Sequence, residues 1–284
     1  MILFYEYGRL GNQIFQYLGL KNYFPKHRLV FFGLNSLKYF FDNLEVDFID
    51  LKKKQMHFIF LLLKKITYFL AAIRIIGRIN ESTNSKNFEL IIRKGLFYNI
   101  YVAQDIYFQD NKSIFEIKNQ IKIRSKFINI AKNWLREKKI HTKKSKLIFV
   151  HVRRGDYLLW PNKKFPAVLD FSWYVSSMSY LKKKVKKPIF ILMSDDLHYI
   201  HDIFKESKSL IISKNIAEVD LSIMSLCSHG IMSPSSFAWW GSFFIKKSNL
   251  YKRPSYFIAP KFWAGHRSKK WFPKKFYFDW IIYK

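Results

Sequence analysis

The chain has 284 residues, 49% of them hydrophobic and 19% aromatic, with its charges spread along the whole length. That composition excludes a disordered chain and leaves room for two compact units of about 130 residues each. Lys and Arg total 50 against 20 Asp and Glu, a formal net charge of +30 that attracts phosphates, nucleic acid or anionic lipid head groups without choosing among them.

Ile2–Tyr7 reads as a strand, not a leader: it has no basic start and no long apolar run, and nothing here directs the chain out of the cell. It runs into Tyr7-Gly8-Arg9-Leu10-Gly11-Asn12-Gln13, a glycine turn opening a helix from about Asn12 to Tyr23. Gly8 and Gly11 permit close approach of a ligand, and a helix N-terminus offers free amides to an anion or hydroxyl. The third glycine of a dinucleotide fingerprint is absent. A second strand follows at Leu29–Phe32.

Met56–Ile79 is the most apolar stretch, but Lys64, Lys65, Arg74 and Arg78 interrupt it. Its longest pure run, Phe58–Leu63, falls far short of the ~18 residues that span a bilayer. A core helix is expected here, with a helix lying on an anionic membrane surface as the second reading. Glu81–Asn87 reads as a loop. The basic stretch Arg136–Lys146 reads as the connection between halves, which predicts domains over 1–144 and 145–284.

Beyond Ser145, apolar runs alternate with helix-like segments: Lys146–Val152, Trp173–Lys183, Pro188–Met193, His198–Phe204, Leu210–Ser213, Ala217–Cys227, Gly230–Ser233, Ser236–Ile245 and Tyr256–Ala259. Strands such as Leu147-Ile148-Phe149-Val150 are continuously apolar, as they are when helices cover both faces of a parallel sheet. Cys227 is the one cysteine, so an internal disulfide and a cysteine zinc site are excluded, which fits a reducing cytoplasm.

In open α/β sheets ligands bind beyond the carboxyl ends of strands, so motifs just after strands are the candidate sites. The main one is Phe149-Val150-His151-Val152-Arg153-Arg154-Gly155-Asp156-Tyr157, a buried strand ending in two guanidinium groups. Guanidinium offers planar paired donors to phosphate oxygens and stays charged. Neighbouring residues at a strand end point to opposite sides, so one arginine meets the ligand more directly than the other. Met193-Ser194-Asp195-Asp196 ends another strand, where helix capping is a simpler role than metal binding. Ser233-Pro234-Ser235-Ser236-Phe237 leads into a helix whose first amides suit a phosphate. His198, His201 and His229 have no zinc spacing, and no metal site is expected. No nucleophile elbow, Walker loop or HExxH helix occurs, which counts against hydrolase, kinase and metalloprotease chemistry.

In order, Gly8–Tyr17 (GRLGNQIFQY), Tyr101–Phe108 (YVAQDIYF), the HxRRxDY box at 151–157, Ser194-Asp195-Asp196, Asp220–Cys227, Ser235–Gly241 and Ala259–Trp263 resemble the motifs of the family 11 glycosyltransferases, the bacterial α-1,2-fucosyltransferases. They also resemble the wider superfamily with α-1,6- and protein O-fucosyltransferases. The resemblance implies an α/β fold of the GT-B type, two Rossmann-like domains facing a cleft, with an acceptor-side first domain and a GDP-sugar-binding second one. It implies inverting, metal-independent transfer from GDP-fucose, with no cofactor, to a galactoside hydroxyl of a surface glycan.

By that resemblance Arg153, Arg154, Asp156 and Asn12 serve catalysis. Gly11, His151, Arg153, Arg154, Ser194, Asp195, Asp196, Ser235, Ser236 and Phe237 line the donor site. A general base is open among Asp156, Asp105 and Glu6. The 56–79 segment matches nothing in the family pattern, and Ala238 replaces its usual serine. The implied partners are GDP-fucose and an oligosaccharide or lipid-linked acceptor, with no nucleic acid; the +30 charge and the 56–79 segment add an expectation of peripheral contact with the inner face of the membrane from the cytoplasm. Another linkage (α-1,6 or α-1,3) and a basic nucleic-acid-binding protein are the competing readings, the second lacking any recognition motif.

Overall fold

The computed structural model of the chain describes residues 1–50, 54–82, 89–109, 121–140, 145–248, 254–270 and 276–284, with the side chains of 54–57 excepted. Two compact units emerge, Met1–Arg124 and Ser125–Lys284.

The first unit runs β1 (Ile2–Tyr5), α1 (Leu10–Tyr23), β2 (Leu29–Phe32), α2 (Asn35–Phe40), β3 (Phe41–Asp42), β4 (Asp47–Ile49), α3 (Lys54–Ala72), β5 (Ile76–Glu81), β6 (Leu90–Arg93), β7 (Phe97–Gln104) and β8 (Lys122–Ile123). Its main sheet has the order β4-β2-β1-β7-β5-β6, and β6 alone in it is antiparallel to its neighbour. β1 ends at Tyr5, two residues earlier than the sequence suggests, and α1 begins earlier, at Leu10. The loop expected at Glu81–Asn87 begins only after β5 has used Glu81, and 83–88 lie outside the described residues.

α3 answers neither sequence expectation alone. Phe60, Tyr68 and Ala71 pack against Tyr5, Val30, Phe32 and Val102 of the sheet. Thr67 Oγ1 bonds the Tyr5 hydroxyl at 2.7 Å in the interior. The other side of the helix is equally apolar and exposed, with Phe58 72% and Phe69 62% accessible.

The second unit runs α4 (Ser125–Glu137), β9 (Lys146–Val152), a 3-10 turn (Gly155–Leu158), α5 (Phe171–Lys184), β10 (Pro188–Ser194), α6 (Leu197–Ile203), β11 (Leu210–Ile212), α7 (Ala217–Leu226), β12 (His229–Ile231), α8 (Ser236–Ser248), β13 (Phe257–Ala259) and β14 (Ile282–Tyr283). The sheet is parallel throughout, in the order β11-β10-β9-β12-β13-β14. Such runs need crossover helices, and the chain supplies one between most successive strands.

α4 moves the division of the chain. The expected boundary near 144 assigned this helix to the first half, whereas it packs on α7 and its buried Phe127, Ala131 and Leu135 belong to the second unit. Residues 141–144, at the expected boundary itself, lie outside the described residues.

β9 sits centrally and its two faces differ. Ile148, Val150 and Val152 join Tyr174, Met178 and Leu181 of α5 in one core layer. On the other face Phe149 packs against Gly230 so closely that a Cβ there would lie 2.3 Å from the ring. Trp239 and Trp240 are fully buried, Trp239 among Phe243, Phe276 and Phe278.

Candidate functional site at the carboxyl edge of the second sheet

β10, β9 and β12 are neighbours, so Ser194-Asp195-Asp196, the arginine box and Ser233–Phe237 emerge side by side from one sheet edge. Sequence reasoning had gathered these residues from three motifs, and the fold brings them together. Asn12 and Gly11 lie in the first unit.

The alternation of β9 continues through the arginines. His151 is buried on the face of Phe149; its Nδ1 and the Ser233 hydroxyl share a hydrogen bond of 2.6 Å, and the Ser233 amide donates to the His151 carbonyl at 3.2 Å. Phe237 stacks obliquely on the imidazole at 5.5 Å. Burial, and then the Arg153 charge, push the imidazole pKa down to about 3, so His151 is neutral at physiological pH.

Arg153 donates to Asp195 Oδ2 at 2.8 Å and also pairs with Asp156, and its side chain is only 13% exposed. Two carboxylates therefore fix one guanidinium next to a neutral imidazole. Tyr157 lies under the same guanidinium, 5.3 Å from its ring centre. Burial pushes the Tyr157 phenol up to about 12, so it stays protonated.

Arg154 serves the opposite face. Its Nε donates to Asp196 Oδ2 at 3.1 Å and its guanidinium lies 3.5 Å from the Tyr199 ring centre. Asp196 is at the same time the N-cap of α6, accepting from the Tyr199 amide at 3.0 Å while its own amide donates to Ser194 Oγ at 3.0 Å. That capping bond, together with Arg154, holds its carboxyl below the usual range despite some opposing burial. Asp195 also accepts from the Arg154 amide at 2.8 Å. A Cβ on Gly155 would stand 2.5 Å from Asp195 Oδ2, so the side chain of Asp195 uses the space glycine leaves.

Ser235 is buried just before α8; its carbonyl accepts from the Trp239 amide at 3.0 Å and opens the helix at Ser236. The amino end of that helix lies next to His151 and Ser233, and a helix amino end attracts anions. Asp156 has a side chain 58% exposed and is the outermost carboxylate of the group.

One buried carboxyl was not singled out from sequence. Asp220, in the first turn of α7, accepts from Ser213 Oγ at 2.5 Å, and Asn215 in turn donates to that serine at 2.9 Å. Burial pushes its pKa up to about 7. The sequence carries Asp220 only as the first residue of the matched stretch Asp220–Cys227; the polar run Ser213-Lys214-Asn215 just after a strand is the clue to its burial.

In the first unit the equivalent edge carries the glycine turn. Gly8 takes φ +77, and a Cβ there would lie 2.8 Å from Asn12 Nδ2. Gly11, expected in the turn, is buried within the first turn of α1. Asn12 Oδ1 accepts from Gln109 at 3.2 Å. Glu6 accepts from Gln13 at 2.9 Å, and Asp105 stands just past β7 at φ +49, so both carboxylates reach the ends of adjacent strands. Among the described residues no group of His, Cys, Asp and Glu is arranged to hold a metal ion.

A sequence profile described as glycosyl transferase family 11 matches residues 8–281. The chain belongs to that family of glycosyltransferases. It is 27% identical over 252 residues to an α-1,2-colitosyltransferase of Escherichia coli, covering 83% of this chain and 84% of that one. It is 25% identical over 173 residues to the O-antigen biosynthesis glycosyltransferase WbnK of Escherichia coli, covering 58% of this chain and 56% of the relative. A rat galactoside α-(1,2)-fucosyltransferase 1 is 28% identical over 108 residues, which is 36% of this chain and 29% of the relative. The chain thus spans little more than half of one bacterial relative, most of the other, and under a third of the mammalian enzyme.

Among solved structures, POFUT1 in complex with GDP-fucose aligns with a TM-score of 0.54 at 13% identity, over 90% of this chain and 97% of that one. The fucosyltransferase NodZ from Bradyrhizobium aligns at 0.51 and 13%, over 86% and 92%. These likenesses establish the GT-B type α/β fold.

Proposed function

We propose that the chain is an inverting fucosyltransferase that moves L-fucose from GDP-fucose to a galactoside hydroxyl of a surface glycan, forming an α-1,2 linkage. The observation that carries the reading is Arg153, fixed by Asp195 and Asp156 beside neutral His151 and the amino end of α8. Membership of the family and the α-1,2 relatives support it.

As the sugar leaves, negative charge grows on the β-phosphate while the ring becomes oxocarbenium-like. A guanidinium already oriented by two carboxylates, and the positive end of the α8 dipole, stabilise that charge more in the transition state than in the ground state. This arrangement supplies the charge that a metal supplies elsewhere, so transfer in this reading proceeds without one. Arg153 is the phosphate contact, because it shares the face of His151 and Ser233. Arg154, engaged with Asp196 and Tyr199, holds β9 to the start of α6. The first unit contributes to the acceptor side through Asn12, with Glu6, Asp105 and Asp156 as the carboxylates open for a base role.

A second reading concerns the sugar. The α-1,2-colitosyltransferase relative aligns over 84% of its own length. Colitose lacks one hydroxyl that fucose carries, and a shared α-1,2 chemistry accommodates either. The work is done in the cytoplasm, on a lipid-linked or soluble oligosaccharide.

Titration calorimetry of GDP in EDTA, followed by product linkage analysis with GDP-fucose and a galactoside acceptor, tests the reading. Micromolar GDP binding and an α-1,2 product support it. Absence of GDP binding removes it, and an α-1,3 or α-1,6 product corrects the linkage.

A further inference from the structure

The first unit carries a surface that the sugar chemistry does not use. Along α3, Phe58 and the residues at i+4, i+8 and i+11 from it, Leu62, Ile66 and Phe69, are all exposed, as is Ile73 just past its end, opposite the stripe that packs on the sheet. Directly joined to its end are Leu96 and Phe97, whose amides donate to the carbonyls of Arg74 and Ile75 at 2.7 and 2.9 Å. Leu96 is 77% and Tyr98 68% exposed, larger fractions than a soluble surface ordinarily gives such side chains in one contiguous area.

The charges carried by α3 and by the turn between β6 and β7 have one sign. From Lys54 to Asn80, and from Leu90 to Gln104, the sequence contains no Asp or Glu. Lys65, Arg74, Arg93 and Lys94 are exposed there. We infer that this face, α3 with the β6–β7 turn, docks the protein on an anionic lipid bilayer, its apolar residues entering the interface and its cations meeting phosphate head groups.

Three considerations select lipid. A second copy of the chain would bring Lys65, Arg74, Arg93 and Lys94 against one another, and neither α3 nor the stretch from Leu90 to Gln104 carries a carboxylate to neutralise them. A nucleic acid would pair with the cations and leave Phe58, Leu62 and Leu96 in water. A bilayer interface satisfies both, being apolar below and anionic above. The geometry is that of a helix lying flat. α3 is 19 residues and about 28 Å long, but it is held lengthwise on the sheet through Tyr5, Val30 and Phe32, and no helix among the described residues is long and apolar enough to cross a membrane.

Flotation of the full chain with vesicles of phosphatidylglycerol and phosphatidylcholine, against phosphatidylcholine alone, tests the inference at low and high salt. The wild type floats with the anionic vesicles. A Phe58→Asp, Phe69→Asp, Leu96→Asp variant binds them at least about tenfold more weakly. Lys183→Glu with Lys184→Glu, on the exposed end of α5, removes more positive charge yet leaves flotation unchanged. Equal weakening by both variants overturns the inference, because it means the overall charge binds anywhere. Unchanged flotation of the Asp variant overturns it too, as does a concentration-dependent dimer that this variant abolishes without any vesicle binding by the wild type. Circular dichroism and urea unfolding of the full chain verify that each variant is folded, and a Leu96→Trp variant whose emission shifts to the blue with anionic vesicles locates the contact.

Discussion

Arg153 and Arg154 are adjacent in sequence and equivalent in chemistry, yet the pleat of β9 sends them to different tasks. Arg153 lies with His151 and Ser233 and is held by Asp195 and Asp156. Arg154 lies against Tyr199 and is held by Asp196, which is committed to capping α6. The paired aspartates are divided the same way, one to each arginine. Side-chain period 2 at a strand end thus splits a doubled motif, leaving Arg154 as a structural clamp and Arg153 as the group proposed to meet the ligand.

The largest effect that tests this division is on the nucleotide. Arg153→Ala should weaken GDP binding by about 1.5–3 kcal/mol, the scale of a hydrogen bond to a charged group, with a small change in stability. Arg154→Ala should reverse the pattern, lowering stability by about 1–2 kcal/mol through its lost capping-carboxylate pair and ring contact while GDP affinity changes less. Calorimetry and urea unfolding of both variants decide it. Equal losses of GDP affinity would break the comparison.

The aspartates sharpen it through pH. Asp196 is held low by its cap and by Arg154, whereas Asp220 is pushed up to about 7 by burial, with the Ser213 hydrogen bond only partly opposing. Asp220 binds its proton more tightly in the folded chain, so it favours the fold below its ordinary value of 3.8 and that contribution is lost as pH rises through about 7. Asp220→Asn should therefore gain stability relative to the wild type as pH goes from 4 to 7, the variant-minus-wild-type difference being free of the opposing trend from buried His151. A flat difference would place the carboxyl in a more solvated setting. The smallest effect is expected from Gly155→Ala: its Cβ displaces the Asp195 carboxylate, loosening Arg153 and weakening GDP binding by about 1 kcal/mol or less, with stability little changed.

Much of the second unit is readable from the chain itself, because its strands are uninterrupted apolar runs and its helices alternate with them. Asp196 as a cap and Trp239 and Trp240 as core also follow from local rules. The split of roles between Arg153 and Arg154 follows only in outline, since strand alternation says that they diverge but not which face holds His151. α3 was harder. Its apolar residues occupy every side, so the pattern carries no direction, and only the packing of Phe60, Tyr68 and Ala71 on the sheet reveals which side is left over. α4 was assigned to the wrong half because a basic stretch after it looked like a linker, while its partners on α7 lie some ninety residues away in sequence. Asp220 stands at the head of a matched stretch, but only the fold shows that a strand end and Ser213 close over it.

β9 is paired with β10 along all seven of its residues and with β12 along three, and both neighbours are themselves flanked by further strands. Its amides can exchange with solvent only when the centre of the sheet opens, which costs close to the whole unfolding free energy. In the proposed reading, His151 and the root of the arginine box are therefore anchored to the slowest-exchanging part of this unit, and admission and release of the nucleotide would fall to the segments beyond the strand ends, from Gly155 onward.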